Sequence, residues 1–250
     1  MCLVGFALNH FEGFPLVMVA NRDEYHERPT EPLHAWATDP VIYAGRDLQA
    51  GGTWMGVNAR GQIAVLTNLR GHPMPSDQPP SRGDLVSGFL LSGMPAAQWL
   101  DDLSATASQY AGFNLLLSDD GRQFHLLSNA GDRCSLAAGV HAISNGRIDE
   151  AWPKADGLRT ALASVQRPHD TDELRALMEN TDVAPDDELP QTGVGIEFER
   201  LLAPRLILGA DYGTRSTTVL TLTDDGVLSM TEFTRARDGK IIGERTLSLG

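Results

Sequence analysis

The chain has 250 residues, 42% of them hydrophobic and 21% charged, which is typical of a globular protein with one large domain or two small ones and excludes a disordered or fibrous chain. Twenty basic and thirty-three acidic side chains give a formal net charge of -13, which disfavours nucleic acid as a partner because phosphates attract basic surfaces. No apolar run approaches the ~18 residues of a membrane span, and no basic residue precedes the first apolar run as in a signal peptide, so we expect a cytoplasmic protein without a membrane span.

The first part of the chain predicts short strands in two hairpins, followed by helices. The strands cover residues 3–8, 15–20, 53–57 and 62–67, and the hairpin turns are Glu12-Gly13 and Ala59-Arg60-Gly61. A loop rich in Pro follows over residues 71–82. Helical spacing then aligns the apolar residues Leu85, Val86, Phe89 and Leu90, and a second helix is predicted to begin near Pro95.

The rest of the chain predicts a second group of strands and helices. The strands cover residues 112–117, 123–128, 140–144, 216–223, 227–234 and 240–247, and the helices cover residues 151–165, 171–178 and 198–202. Strands and helices occur in separate blocks rather than in alternation, which favours the α+β class, with two mostly antiparallel sheets and helices outside them. No linker or repeat interrupts the pattern, so we expect a single domain over residues 1–250.

Cys2 has the most unusual chemical setting in the sequence. Removal of the initiator Met would place a free α-amine beside its thiol, and an amine with a pKa of about 7.7 to 8.0 can accept the thiol proton near neutral pH. The other cysteine is Cys134, and the pair fits neither a disulfide framework nor a redox or zinc motif. The alternative is that Cys2 is a small buried residue at the start of a strand.

Polar residues follow the second predicted strand, in the segment Asn21-Arg22-Asp23-Glu24. In an antiparallel hairpin this segment could lie beside Cys2. Arg22 would then lower the pKa of the Cys2 thiol, and Asp23 would hold the α-amine by hydrogen bonding. A salt bridge between Arg22 and Asp23 that closes a loop explains the same residues without any catalytic role.

Two other segments contain candidate pocket residues. Alternation puts His141 on the same strand face as residues 143 and 145, where it either lines a pocket or makes a structural hydrogen bond. Trp54 follows two glycines that allow close backbone approach at a strand start, and it either lines a pocket or fills the core. The seven histidines show no zinc-binding spacing, so we expect no metal and no required cofactor.

Eight short motifs, in order along the chain, resemble the NRDE family, also called the transport and Golgi organisation protein 2 family. They are Met1-Cys2, Ala20-Asn21-Arg22-Asp23-Glu24, Gly51-Gly52-Thr53-Trp54-Met55-Gly56, Leu66-Thr67-Asn68, Ser81-Arg82-Gly83, His141-Ala142-Ile143-Ser144-Asn145, Trp152-Pro153-Lys154 and Tyr212-Gly213-Thr214-Arg215-Ser216-Thr217. That family is similar to the N-terminal nucleophile hydrolases, especially the cysteine branch with penicillin V acylase and bile salt hydrolase. The resemblance implies a four-layer αββα sandwich of two mostly antiparallel sheets.

The resemblance also implies roles for individual residues. It makes Cys2 the nucleophile, tuned and oriented by Arg22 and Asp23. It places Asn68 in the lining of the oxyanion site and makes the side-chain amide of Asn145 an oxyanion donor. Such a donor can contribute ~2.7 to 4 kcal/mol to transition-state stabilisation, although both asparagines also fit ordinary turns. The substrate-binding candidates are Asn21, Glu24, Trp54, His141 and Arg215, the last in a region where the cysteine branch has a further arginine.

Two functions are consistent with these features. The first is an amidohydrolase that cleaves a non-peptide C–N bond through an acyl-thioester on Cys2, with a small-molecule amide or acyl ligand as its partner. The second is a module on the same scaffold that binds or transports haem, acyl-coenzyme A or lipid without turnover, as the resemblance implies. The sequence has no Cys-Pro or Cys-x-x-Cys-His haem signature, and it does not indicate an oligomeric state.

Overall fold

The computed structural model describes residues 2–250, which form thirteen β-strands, five α-helices and two short 3-10 segments. The strands are β1 Cys2–Phe11, β2 Phe14–Tyr25, β3 Thr30–Ala35, β4 Ile42–Asp47, β5 Met55–Asn58, β6 Ile63–Asn68, β7 Phe113–Ser118, β8 His125–Ser128, β9 Arg133–Ser135, β10 Gly139–Ile143, β11 Tyr212–Leu222, β12 Leu228–Arg235 and β13 Ile241–Leu249. The α-helices are α1 Gly83–Ser92, α2 Ala96–Ser104, α3 Pro153–Ala163, α4 Thr171–Ala176 and α5 Ile196–Leu202, and the 3-10 segments are Ala107–Gln109 and Asp186–Glu188. Among the described residues, no helix is both long enough and apolar enough to cross a membrane.

The strands and helices predicted from the sequence are present, and the structure adds β3, β4 and β9. Strands β3 and β9 lie at the two edges of one sheet. Strand β3 contains Pro32, which an edge strand accommodates because its outer backbone groups need no partner. All three residues of β9 are exposed. Neither strand therefore has the alternating apolar pattern that reveals a half-buried strand in a sequence.

The internal contacts of the chain divide it into two compact units. The first unit, residues 2–27 and 138–248, contains an antiparallel sheet in the order β10-β1-β2-β11-β12-β13. Helix α3 packs on β1 and β10, and α4 packs on β11. The core between sheet and helices is apolar, and its members include Leu3, Val19, Leu158, Leu162 and Leu174. One face of this sheet is thus covered by helices.

The second unit, residues 28–137, contains the sheet β3-β4-β5-β6-β7-β8-β9, in which neighbours in sequence are neighbours in space. Helix α1 packs on β4, β5 and β6, and its buried residues are the four predicted from helical spacing. Helix α2 begins after Pro95, as predicted, and contacts β8. Each unit therefore supplies one antiparallel sheet and its helices, which confirms the predicted fold class; the single domain stays a prediction.

The hairpin of β1 and β2 is longer than the apolar pattern predicted. Gly13 forms its turn with φ 79°, a backbone conformation that glycine adopts without steric cost. Strand β2 continues for twelve residues, so the segment Asn21-Arg22-Asp23-Glu24 lies within it rather than in a loop. The extension brings this polar segment alongside the first residues of β1.

Two of the sequence motifs meet at a close backbone contact in the second unit. A Cβ atom on Gly52 would lie 2.5 Å from the carbonyl carbon of Gly83 and 2.7 Å from its oxygen. The amide of Thr53 donates a hydrogen bond to the same carbonyl, at 3.4 Å. The expectation that glycines here permit close backbone approach is therefore confirmed, and the contact joins the loop before β5 to the start of α1.

We expect Gly52→Ala to lower the free energy of unfolding by about 1–3 kcal/mol, because its methyl group meets backbone that must shift. Gly88→Ala is the matched control, since its Cβ would lie 3.6 Å from Trp99 in ordinary contact. Inside α1 that change should raise stability by about 0.5–1 kcal/mol. Urea denaturation of both variants measures the two effects, and equal stability of the two would contradict this account.

Candidate active site

A row of polar side chains crosses one face of the first sheet at the end where β1 begins. Cys2 pairs with Arg22 across β1 and β2, and Arg22 pairs with Ser216 across β2 and β11. Directly opposed residues of antiparallel strands point to the same face. The register thus places the thiol of Cys2, the guanidinium of Arg22 and the hydroxyl of Ser216 side by side.

Asn145 follows β10 by two residues. Strands β1 and β10 pair Phe6 with His141 and Val4 with Ile143, and the strand ends at Ile143. His141 and Ile143 therefore share the Cys2 face, as predicted from alternation. Asn145 lies in the bend after the strand and is buried, with 1% of the residue exposed, and its place on that face stays a prediction.

His141 holds the turn that follows β10. Its Nδ1 lies 2.7 Å from Oδ2 of Asp149, and its ring centroid lies 5.4 Å from that of Phe6. Asp149 also accepts a hydrogen bond from the amide of Ala142 through Oδ1 and donates its own amide to the Ala142 carbonyl, both at 2.9 Å. These contacts close the loop that contains Asn145. The structural alternative for His141 is thus realised, and its role in binding substrate stays a prediction.

Asp23 lies on the opposite, helix-covered face of the sheet. It pairs with Thr214, whose hydroxyl donates to Oδ1 of Asp23 at 2.7 Å, and the Tyr212 hydroxyl donates to the Asp23 carbonyl at 2.9 Å. Along β2, Asp23 follows Arg22, the partner of Cys2, and its side chain points to the face opposite the Cys2 thiol. Its predicted role of holding an α-amine stays a prediction.

Burial dominates the electrostatics of these groups. It raises the pKa of the Cys2 thiol, as do the charges of Asp23 and Glu24, while Arg22 attracts the thiolate and opposes the rise. Burial also raises the pKa of the Asp23 carboxyl, against the attraction of Lys154, the hydrogen bond from Thr214 and the charge of Arg22. Arg22 acts in the direction expected from its charge, but the pKa of the thiol is raised overall because only 7% of Cys2 is exposed.

Asn21 is fully buried on the helix-covered face and is engaged at both ends of its amide. Its Nδ2 donates to the carbonyls of Met178 and Arg205, and its Oδ1 accepts from the hydroxyl of Thr217. Asn21 therefore ties β2 to β11 and to the segments after α4 and α5. Substrate contact by Asn21 stays a prediction, and the bonds observed are those of a residue that positions β2.

Arg215 and Glu24 lie at the end of β2. The pairing of β2 with β11 shifts between Thr214 and Ser216, so Arg215 is the extra residue of a β-bulge. Its guanidinium donates to the carbonyl of Tyr25 at 2.7 Å, and burial, followed by the nearby Arg22, lowers its pKa. Glu24 is half-buried on the face of Cys2. The charged side chains of Arg215 and Glu24 thus lie next to the polar row of Cys2, Arg22 and Ser216.

Asn68 and Trp54 belong to the second unit. Asn68 is the last residue of β6, opposite Phe113, and is half-buried, as expected for a strand end. Trp54 precedes β5 and is also half-buried, and its carbonyl accepts a hydrogen bond from Leu66. Their predicted roles in the oxyanion site and in substrate binding stay predictions.

The structure adds groups that have no predicted role. Tyr212 and Thr214 hold Asp23, and Lys154 acts on it electrostatically. All three occur in motifs quoted for the family resemblance, which was the available signal, but a motif does not show which neighbour its side chains meet. Within residues 2–250, no group of three or more His, Cys, Asp or Glu side chains is placed to hold a metal ion.

Comparison with known proteins gives a consistent assignment. The family model described as Transport and Golgi organisation 2 matches residues 1–237. The Transport and Golgi organization protein 2 homolog of Bos taurus is 30% identical over 93% of this chain and 92% of its own length, and that of Homo sapiens is 29% identical over the same shares. Among solved structures, the N-acylethanolamine-hydrolyzing acid amidase ortholog of Caenorhabditis elegans aligns with a TM-score of 0.53 and 8% identity, over 88% of this chain and 92% of its own. This likeness shows that the two chains share a fold.

We expect Asp149→Asn to reduce stability in a pH-dependent way. Burial alone would raise the pKa of Asp149, but hydrogen bonds from His141 and from the amide of Ala142 outweigh it and lower the pKa below the ordinary value of 3.8. A carboxyl with a lowered pKa stabilises the folded state above its unfolded pKa, and this stabilisation is lost as the pH falls through the folded value. The stability difference between wild type and variant should thus be full at pH 6 and shrink below about pH 4.

Urea denaturation across this pH range measures that difference. Asn tolerates the positive φ of 55° at this position, so the substitution tests the charge rather than the backbone. Asp156→Asn is the control: Arg159 lies 3.7 Å from Asp149 and also binds Asp156, at 2.6 Å, but the bond from His141 goes to Asp149. A difference that stays constant from pH 6 to pH 3 would exclude the Asp149 carboxylate as its source.

Proposed function

From the membership of this chain in the Transport and Golgi organisation 2 family and from the geometry at Cys2, we propose that the protein is an amidohydrolase with an N-terminal cysteine nucleophile. Its substrate would be a small molecule with a linear, non-peptide amide. The single observation that carries the proposal is the register of β1 and β2, which sets Cys2 opposite Arg22, with Asp23 as the next residue of β2. In the proposal, the guanidinium of Arg22 acts on the thiol of Cys2 and the carboxylate of Asp23 acts on its α-amine.

The proposed acylation begins once Cys2 is the first residue. Its neutral α-amine takes the thiol proton, and the sulfur attacks the amide carbon to form a C–S bond. Burial disfavours a free thiolate, so a base on the same residue is an efficient route to the nucleophile. Arg22 stabilises the sulfur anion as it forms, and Asp23 accepts a hydrogen bond from the α-ammonium.

The tetrahedral intermediate carries a negative charge on the former amide oxygen. Asn145, buried in the bend that follows β10, would donate its side-chain N–H to this oxyanion, and Asn68 is the second candidate donor. The α-ammonium gives its proton to the amide nitrogen, the C–N bond breaks, and an amine leaves. The product on the enzyme is an acyl-thioester of Cys2.

Deacylation reverses the roles of these groups. The neutral α-amine removes a proton from a water molecule, the oxygen attacks the thioester carbon, and the C–S bond breaks to release a carboxylic acid. The proton on the amine returns to the sulfur, so thiol and amine are regenerated. Support for amide chemistry comes from the fold shared with a solved amidase, while the acyl and amine groups of the substrate are not specified by that likeness.

We expect hydrolysis to require Cys2 at the N-terminus. Two preparations should be compared on fluorogenic N-acyl-aminocoumarins of short to long acyl chain: one released from a fusion so that Cys2 is the first residue, and one that retains Met1. The first should release fluorophore and show an acyl adduct on Cys2 by mass spectrometry. Cys2→Ala should do neither, and Cys134→Ser is the matched control because Cys134 is exposed. Equal turnover by the preparation with Met1 would contradict the mechanism.

The same preparations also test the non-catalytic alternative. Saturable binding of haem or an acyl-coenzyme A that is unaffected by Cys2→Ala, together with no hydrolysis of any amide in the series, would favour a binding or transport module on this scaffold.

We expect Asn145→Ala to lower kcat by roughly 10²–10³, because one oxyanion donor is worth that much in comparable sites. KM should change little, since the bond strengthens only as charge develops on the oxygen. Asn180→Ala is the control, because Asn180 binds Asp182 at an exposed position. Steady-state kinetics measures kcat and KM separately. A rise in KM at unchanged kcat would show that Asn145 binds the substrate in its ground state instead.

A further inference from the structure

A series of hydrogen bonds crosses the helix-covered face of the first sheet and joins the end of β12 to β2. It begins at Arg235, the last residue of β12, which is buried with 4% of the residue exposed. Nε of Arg235 donates to the hydroxyl of Thr217 at 2.7 Å, and that hydroxyl donates to Oδ1 of Asn21 at 2.7 Å. Thr217 and Asn21 are both fully buried. The series therefore runs from a buried cation to the strand that carries Arg22.

The two other nitrogens of the Arg235 guanidinium also have partners. One donates to the carbonyl of Gly239 at 2.8 Å, and the other donates to the carboxylate of Glu179 at 3.0 Å. Glu179 also accepts a hydrogen bond from Arg175. A buried guanidinium is costly unless an opposite charge and hydrogen bonds compensate it, and here both are present. Three acceptors on three different segments thus fix Arg235 in one orientation.

This arrangement determines the direction of every bond that follows. A guanidinium can only donate, so the Thr217 hydroxyl accepts from Arg235 and gives its own hydrogen to Asn21. The amide of Asn21 must then direct Oδ1 at Thr217 and Nδ2 at the carbonyls of Met178 and Arg205, at 3.1 and 2.7 Å. The reverse orientation of this amide would set its oxygen against two carbonyl oxygens. Arg235 therefore sets the orientation of Asn21 without touching it.

The position of this series in the sheet connects it to the candidate site. Thr217 lies directly opposite Asn21, the next pair is Ser216 with Arg22, and the β-bulge at Arg215 follows. A bulge interrupts the ladder of backbone hydrogen bonds, so β2 is held less firmly to β11 beyond that point. The side-chain bonds at Thr217 and Asn21 lie just before the interruption, and the residue after Asn21 is the one that faces Cys2.

We propose that Arg235 is a positioning residue of the Cys2 site: through the hydroxyl of Thr217 it orients the amide of Asn21, which holds β2 where Arg22 faces Cys2. Arg235 lies on the helix-covered face, like Thr217, and touches no substrate. Only its consequence for catalysis rests on the proposed function.

Arginine is required for this role, and lysine does not replace it. The acceptors on Thr217, Gly239 and Glu179 are reached by three different nitrogens of one planar group. An ammonium presents its three donors from a single nitrogen, so it cannot serve acceptors that are spread around a guanidinium.

The test measures the mobility of the Arg22 guanidinium, which needs neither a substrate nor a free amine on Cys2. NMR gives the ¹⁵N order parameter of the Arg22 Nε–H bond, and Arg22→Gln assigns its signal. The order parameter should be about 0.8 in the wild type and fall below about 0.6 in Arg235→Met and Arg235→Lys. Arg175→Gln is the matched control, because Arg175 donates to the same Glu179 carboxylate, and it should leave the wild-type value.

Two substitutions of Thr217 leave Arg235 in place and cover the case in which Arg235→Met does not fold. Thr217→Val keeps the shape of the side chain without its hydroxyl and should lower the order parameter of Arg22 as Arg235→Met does. Thr217→Ser keeps the hydroxyl and should restore the wild-type value. In a Thr217→Val background, Arg235→Met should cause no further fall, since the connection is already broken. A rigid Arg22 in every variant, or an equal loss in Thr217→Val and Thr217→Ser, overturns the proposal.

Kinetics tests the consequence for the reaction. On an N-acyl-aminocoumarin that the wild type hydrolyses, Thr217→Val should lower kcat by about tenfold to a hundredfold, because a small misplacement of a group that meets the developing charge is costly. KM should stay within about twofold, and Thr217→Ser should keep both values. A rise in KM at unchanged kcat would overturn the proposal. If the wild type hydrolyses no amide, the proposed function alone fails, because the order parameter of Arg22 still decides the role of Arg235.

Discussion

The antiparallel pairing of β1 with β2 is the constraint on which the candidate site depends. One register decides that Cys2 is opposite Arg22 and that Leu3 is opposite Asn21. A slip of one residue would send every side chain of β1 to the other face, so the thiol would enter the apolar core beneath α3. The register is fixed by the Gly13 turn and by the apolar residues Leu3 and Ala7, which must face the helices. Core packing thus determines the position of the reactive group.

The two faces of the first sheet carry different sets of side chains at this site. The face of Cys2 carries Arg22 and Ser216, which are groups that can meet a substrate or its developing charge. The helix-covered face carries Asp23, held by Thr214, together with Asn21. Backbone alternation makes this division unavoidable, because neighbouring residues of one strand point to opposite faces. In the proposed mechanism, Arg22 and Asp23, adjacent in sequence, would therefore act on different atoms of Cys2, the sulfur and the nitrogen.

Much of this arrangement can be predicted from the sequence. The features that could not be predicted leave no sequence signal, for identifiable physical reasons. Leu85, Val86, Phe89 and Leu90 revealed α1 because a buried helix face repeats with the helical period, and the Glu12-Gly13 turn revealed the first hairpin. The bulge at Arg215 could not be predicted, because it depends on how β11 meets β2 nearly two hundred residues away. The burial of Lys154 could not be predicted either, because a lysine in a helix is usually exposed and its hydrogen-bond partner, the carbonyl of Leu202, is distant in sequence.

The upward shift of the thiol pKa clarifies what the proposed chemistry demands of its surroundings. A buried cysteine is a poor nucleophile, because the thiolate loses its hydration and Asp23 and Glu24 repel it. Arg22 opposes these effects without outweighing them, so the proton must go to a base within reach of the sulfur at the moment of attack. An α-amine on the same residue meets that need without movement of any other group.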